Sequence, residues 1–216
     1  MKVIFAAVIA VGLVGGLVSH ASGSTLYTDG AVNGTLGGYA IDSGYETSDS
    51  FVITGPSTVT GVDFGAWTTP GVDAKSVDWT ISSDKLGGGS VYGQGKGNLT
   101  DTLLVSSNAD SYRVGSDYFS TGPVDLNAGT YFLTLDGGSV SSGVIAWDAN
   151  VGPSKAYESY SGVTSSVYSE SFDILGTATA PSTPEPSGSI PIAIGICAIG
   201  VLVARRNPLR RGFAPI

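Results

Sequence analysis

Histidine is all but missing from this 216-residue chain, and the one present, His20, falls at the end of an N-terminal apolar stretch. Everything after it lacks an imidazole, which excludes Ser-His-Asp and Cys-His nucleophile systems and histidine-based zinc or copper sites. Cysteine is as scarce. Cys197 is the sole one and lies in a second apolar run, so no intramolecular disulfide can form. Its plain reading is a small apolar residue in a helix. Bases are few too: ten Lys and Arg against eighteen Asp and Glu. Between Ser22 and Ala180 there are seventeen acids and five bases, about −12. Such a body repels nucleic acid and anionic lipid, and favours neutral glycans, cations or basic proteins. Helical periodicity is also wanting before Gly188.

What is present is a text of strands and turns. Ser76-Val77-Asp78-Trp79-Thr80-Ile81-Ser82 alternates, with Val77, Trp79 and Ile81 on one face. Thr130 to Asp136 does likewise, and Gly137-Gly138 then reads as a hairpin turn. Further predicted strands are Phe51–Thr54, Thr58–Phe64, Leu99–Ser106, Val144–Asp148 and Val167–Leu175. Gly87-Gly88-Gly89 and Gly93-Gln94-Gly95-Lys96-Gly97 read as turn clusters between them. Short, evenly spaced strands predict an all-β fold, an antiparallel β-sandwich of jelly-roll-like type over residues 22–176.

The two ends carry signals of a different kind. Met1-Lys2 is a short basic start, Val3 to Val18 is apolar or glycine, and Ser19-His20-Ala21 supplies small residues for signal peptidase. Cleavage is expected between Ala21 and Ser22, with an uncleaved anchor as the alternative. Residues 177–189 are rich in Thr, Ser and Pro and read as an extended linker. Ile190 to Ala204 is then uninterrupted by charge, and Arg205-Arg206 and Arg210-Arg211 follow. Fifteen helical residues rise about 22 Å, short of a hydrocarbon core of about 30 Å. Including Ser187 to Ser189 and letting the arginines snorkel makes a transmembrane helix feasible over 190–204. The basic tail, 205–216, is expected to stay cytoplasmic.

Pro184-Glu185-Pro186, an apolar segment and a terminal arginine cluster, in that order, resemble the PEP-CTERM sorting signal of exported bacterial proteins. The resemblance covers about residues 183 to 211. It implies recognition by an exosortase, a polytopic membrane protease or transpeptidase, with Pro184, Glu185, Pro186, Arg205 and Arg206 as the sorting residues. The implied route is an inner-membrane precursor, then the cell surface or extracellular matrix, with extracellular polysaccharide as a companion. The basic residues depart from the pattern by being split around Asn207-Pro208-Leu209. Gly61 to Trp67, Ser76 to Ile81 and Trp147 to Asn150 also look like segments of uncharacterised PEP-CTERM ectodomains, which carry no established activity.

Within the exported body no catalytic residue is expected, and the chain reads as a substrate rather than an enzyme. Carboxylate-only glycoside hydrolysis is the surviving enzymatic alternative, because it needs two acids alone. Its glutamates would come from Glu46, Glu158 and Glu170. A carbohydrate-binding module is its companion reading. Trp67, Trp147 and Asp148 are the candidate glycan contacts, with packing beneath a loop as the alternative. No cofactor is expected. Asp125-Leu126-Asn127-Ala128-Gly129 and Asp148-Ala149-Asn150 space oxygen ligands as structural calcium loops do, and Asx turns explain both as well.

Overall fold

The computed structural model describes residues 23–108 and 112–179. Among them are fourteen strands and no helix. In chain order they are β1 (Ser24–Thr28), β2 (Gly38–Ala40), β3 (Tyr45–Ile53), β4 (Ser57–Thr68), β5 (Ala74–Ser82), β6 (Val91–Asn98) and β7 (Thr100–Asn108). Then follow β8 (Tyr112–Leu126), β9 (Gly129–Val140), β10 (Ile145–Asn150), β11 (Ala156–Tyr160), β12 (Val163–Val167), β13 (Ser169–Glu170) and β14 (Phe172–Ala178).

They form two antiparallel sheets packed as a sandwich. One is eight-stranded along β1-β14-β4-β10-β13, with β2 added to β10, β8 beside β4, and β7 beside β8. The other is six-stranded, β12-β11-β3-β9-β5-β6. Strand alternation places the core between them. Phe64, Phe119, Trp147 and Phe172 come from the first sheet; Phe51, Trp79, Leu133 and Leu135 come from the second. The rings meet across the gap: Phe51 lies edge-on to Phe172 at 6.5 Å, and Trp79 stacks on Phe119 at 6.3 Å. Each such side chain contributes about 1.5–3 kcal/mol by leaving water.

Six of the predicted strands are present, Val167–Leu175 is broken at Tyr168 and Ser171 and shared among β12, β13 and β14, and two predicted turns are absent. Gly137-Gly138 lies inside β9, where the ladder to β5 slips between Ser76 and Asp78. Gly137 has φ 54, so the extra residue is taken up as a bulge rather than a reversal. The glycines of 93–97 lie in β6. Their missing side chains make room for rings: a Cβ on Gly97 would come within 2.7 Å of Phe119, and one on Gly93 within 3.2 Å of Trp79. Gly87-Gly88-Gly89 does turn the chain between β5 and β6, closed by Ser83 N–H on Ser90 O at 2.9 Å.

The body closes at Thr179, whose N–H donates to Pro56 O at 2.8 Å. Among the described residues no helix is long and apolar enough to cross a membrane. The signal-peptidase site, the Pro-Glu-Pro tripeptide, the 190–204 run and the arginines lie outside the described residues.

Candidate functional site

Strand β10 turns Trp147 inward and Asp148 outward by its two-residue period. Trp147 is wholly buried, edge-on to Phe172 at 5.4 Å and to Phe64 at 6.1 Å. Its indole N–H donates to Ser171 O at 3.0 Å. Asp148 is equally buried, beneath the segment that joins β1 to β2. Oδ1 accepts the Trp67 indole N–H at 2.6 Å and the Gly34 N–H at 3.2 Å. Oδ2 accepts the Asn33 N–H at 3.0 Å and the Ser171 hydroxyl at 3.1 Å. One carboxylate thus receives four donors from three separate stretches of chain, which is how an acid is buried without a cation. Asn33 Oδ1 in turn accepts the Thr35 N–H at 2.8 Å, an Asx turn.

These positions alter the glycan-contact expectation. Trp147 and Asp148 have no exposed surface to offer a sugar: one is a core ring, the other a structural hub. Trp67 is 8% exposed and borders a surface cleft of about 440 Å³. Tyr112 forms a second aromatic wall, its ring 5.8 Å from that of Trp67. Tyr45, stacked on Tyr160 at 4.1 Å, forms a third. At the base lies Asp42, whose Oδ2 accepts the Ile145 N–H at 3.0 Å. Apolar ring area beside a carboxylate is the surface chemistry that suits a sugar ring.

The acids do not assemble a hydrolytic pair from the glutamates. Glu46 sits opposite Ser159 and Glu158 opposite Thr47 in the β3–β11 ladder, so the two fall on opposite faces of the sheet. Glu170 is wholly buried, with neither carboxylate oxygen hydrogen-bonded among the described residues. Burial first, and the Asp49 charge next, raise its pKa well above the ordinary carboxylate value. Asp117, on β8, is the same kind of group. Burial, then the neighbouring Asp101 carboxylate, pushes it up to about 7, while the Arg113 guanidinium pairs with Asp101 instead. Of the predicted calcium segments, Asp125 accepts the Thr58 hydroxyl at 2.6 Å, and Asn127 O accepts the Tyr131 hydroxyl at 3.0 Å.

A constellation invisible in the sequence lies where β1, β3, β10 and β13 converge. Asp29 and Asp49 are both wholly buried. The Ser154 Oγ lies 2.7 Å from Asp29 Oδ2 and 2.8 Å from Asp49 Oδ2. Ser169 Oγ donates to Asp29 Oδ2 at 2.6 Å and also touches Ser154 Oγ closely. Asp29 Oδ1 accepts the Tyr27 hydroxyl at 2.7 Å, and Asp49 Oδ2 the Glu170 N–H at 2.7 Å. Burial pushes Asp49 up to about 7, against the pull of its donors. Burial, then the bond to Asp29, raises Tyr27. Four distant segments supply these side chains, so no local motif announces them. Among the described residues no three acids, histidines or cysteines converge closely enough to bind a metal by themselves.

No family model matches the chain, and no curated protein matches it.

Proposed function

We propose that this chain is an exported surface or matrix protein, and that its function depends on a sorting reaction performed on it rather than by it. The carrying observation is the order of elements behind the sandwich. β14 ends at Ala178, and a Ser/Thr/Pro spacer, Pro184-Glu185-Pro186, an apolar run and Arg205-Arg206 follow. A signal peptide cut between Ala21 and Ser22 delivers the body, a sandwich of jelly-roll-like type. The membrane helix at 190–204 holds the precursor until an exosortase reads the tripeptide. Glu185→Ala, or loss of residues 205–216, is expected to leave uncut precursor in the inner-membrane fraction. Unchanged gel mobility and normal release on fractionation would sink this reading.

The companion is extracellular polysaccharide, and the cleft of Trp67, Tyr112 and Tyr45 supports that choice. Tyr112 is 39% exposed, so Tyr112→Ala is expected to shift stability by less than about 0.5 kcal/mol. The same change is expected to reduce retention on immobilised neutral glycans at least tenfold, read on a glycan array. Equal retention by the variant, or none by the parent, removes the cleft from the account.

A further inference from the structure

Four oxygens crowd one another at the Asp29–Asp49 constellation, while the Tyr27 hydroxyl, the Ser50 N–H and the Glu170 N–H donate to the two carboxylates from outside. Four contacts link Asp29 Oδ2, Asp49 Oδ2, Ser154 Oγ and Ser169 Oγ, and the two hydroxyls bring one proton each. No base offsets the two carboxylates: the ion pairs among the described residues are Lys96–Asp78 and Arg113–Asp101. A separate observation lies beside them. Asn150 is 4% exposed and faces Ser169 across the β10–β13 ladder, so both side chains stand on one face. Its Nδ2 is fixed by donation to Asp29 O at 2.7 Å. Its Oδ1 is buried and accepts no hydrogen bond among the described residues. An amide oxygen stripped of water with no donor is costly unless a ligand compensates it.

We propose that Asp29, Asp49, Asn150, Ser154 and Ser169 form a calcium site. The ligands are all hard oxygens, the set calcium takes, and they mix two charges with neutral donors. Two carboxylates fall short of a purely acidic site, and the amide and hydroxyl oxygens complete the set. Asp29 and Asn150 also line a surface cleft of about 420 Å³, which gives the ion a way in and leaves room for the waters of a six- to eight-fold shell. Gly152 forms part of that cleft, and a Cβ there would collide with Asp29 Oδ2. The ion would tie β1, β3, β10 and the chain around Ser154 together at the rim of both sheets. Magnesium fits worse, because it demands a regular octahedron and sheds water reluctantly. This inference is independent of the sorting reading.

The test is a calcium chloride titration of the full-length protein in detergent, followed by thermal unfolding and calorimetry. One ion per chain is expected, with a Kd of about 0.1–1 mM, the range of extracellular modules. At 10 mM calcium the Tm is expected to rise by about 3–10 °C. Ser154→Ala is expected to weaken binding about tenfold, and Asn150→Asp to tighten it about tenfold by adding a charged ligand. The second variant guards against loss through misfolding, since a merely structural role produces no gain. Asp125→Asn, remote near the end of β8, is expected to leave the affinity unchanged. An absence of any calcium response in the folded parent overturns the proposal. So does an equal shift from 10 mM magnesium, or an affinity that neither Ser154→Ala nor Asn150→Asp alters.

Discussion

Asp148 and Asp49 are both wholly buried, yet the first receives four donors of its own, while the second has two backbone N–H groups and must share the Ser154 hydroxyl with Asp29. Around Asp148 the donors are two backbone N–H groups, an indole N–H and a hydroxyl, all supplied by the fold itself. Around Asp49 and Asp29 the neighbours are mostly oxygens, and a buried amide oxygen is left over. Acids of one composition, in one small domain, are thus buried by different means. Where hydrogens suffice the site is closed and architectural. Where oxygens outnumber them, the surplus marks a place for a proton or a cation.

The largest effect expected from breaking this contrast is at the closed hub. Asp148→Ala would strand the Asn33 N–H and the Trp67 indole without their acceptor. Destabilisation of about 3–5 kcal/mol is expected in urea unfolding, and calcium should not rescue it. A loss below about 1 kcal/mol would show that the segment between β1 and β2 does not depend on this acid.

Asp117 sharpens the contrast on a smaller scale: unlike Asp148 and Asp49, its carboxylate accepts no hydrogen bond among the described residues. Its folded value, pushed up to about 7, exceeds the ordinary one. The stability associated with its proton is therefore fully present below about pH 4 and lost as pH rises through 7. Asp117→Asn is expected to gain about 1–3 kcal/mol at pH 8 and about a third of that at pH 5, read from urea midpoints at the two values. An equal effect at both pH values would mean that the ionised form is not the costly one.

How legible each part was follows from the range of its interactions. The alternation of Val77, Trp79 and Ile81 is local, so β5 and the sandwich could be read directly. β12 carries Thr164, Ser165 and Ser166 at an exposed edge, where no apolar face is needed, and no such pattern marks it. The 93–97 glycines resembled a turn because sequence shows a missing side chain but not the Trp79 and Phe119 rings that use the space. Gly137-Gly138 resembled a hairpin for a related reason: a bulge and a reversal both call for a glycine at positive φ. Trp67 stands one residue before the end of β4 and borders the cleft. Asp148 was singled out for its neighbour Trp147, whereas its actual partners, Asn33 and Trp67, are more than eighty residues away in the chain. Asp29, Asp49 and Ser154 carried no local signal, since only the closure of both sheets brings them together.

The proposed delivery of this sandwich rests on its two ends, and one measurement reads both. Intact-mass spectrometry of the mature protein is expected to give a chain that starts at Ser22 and stops near Pro184-Glu185-Pro186. A species of the unshortened 21.8 kDa, or one that starts at Ser22 and still extends to Ile216, would contradict the sorting account.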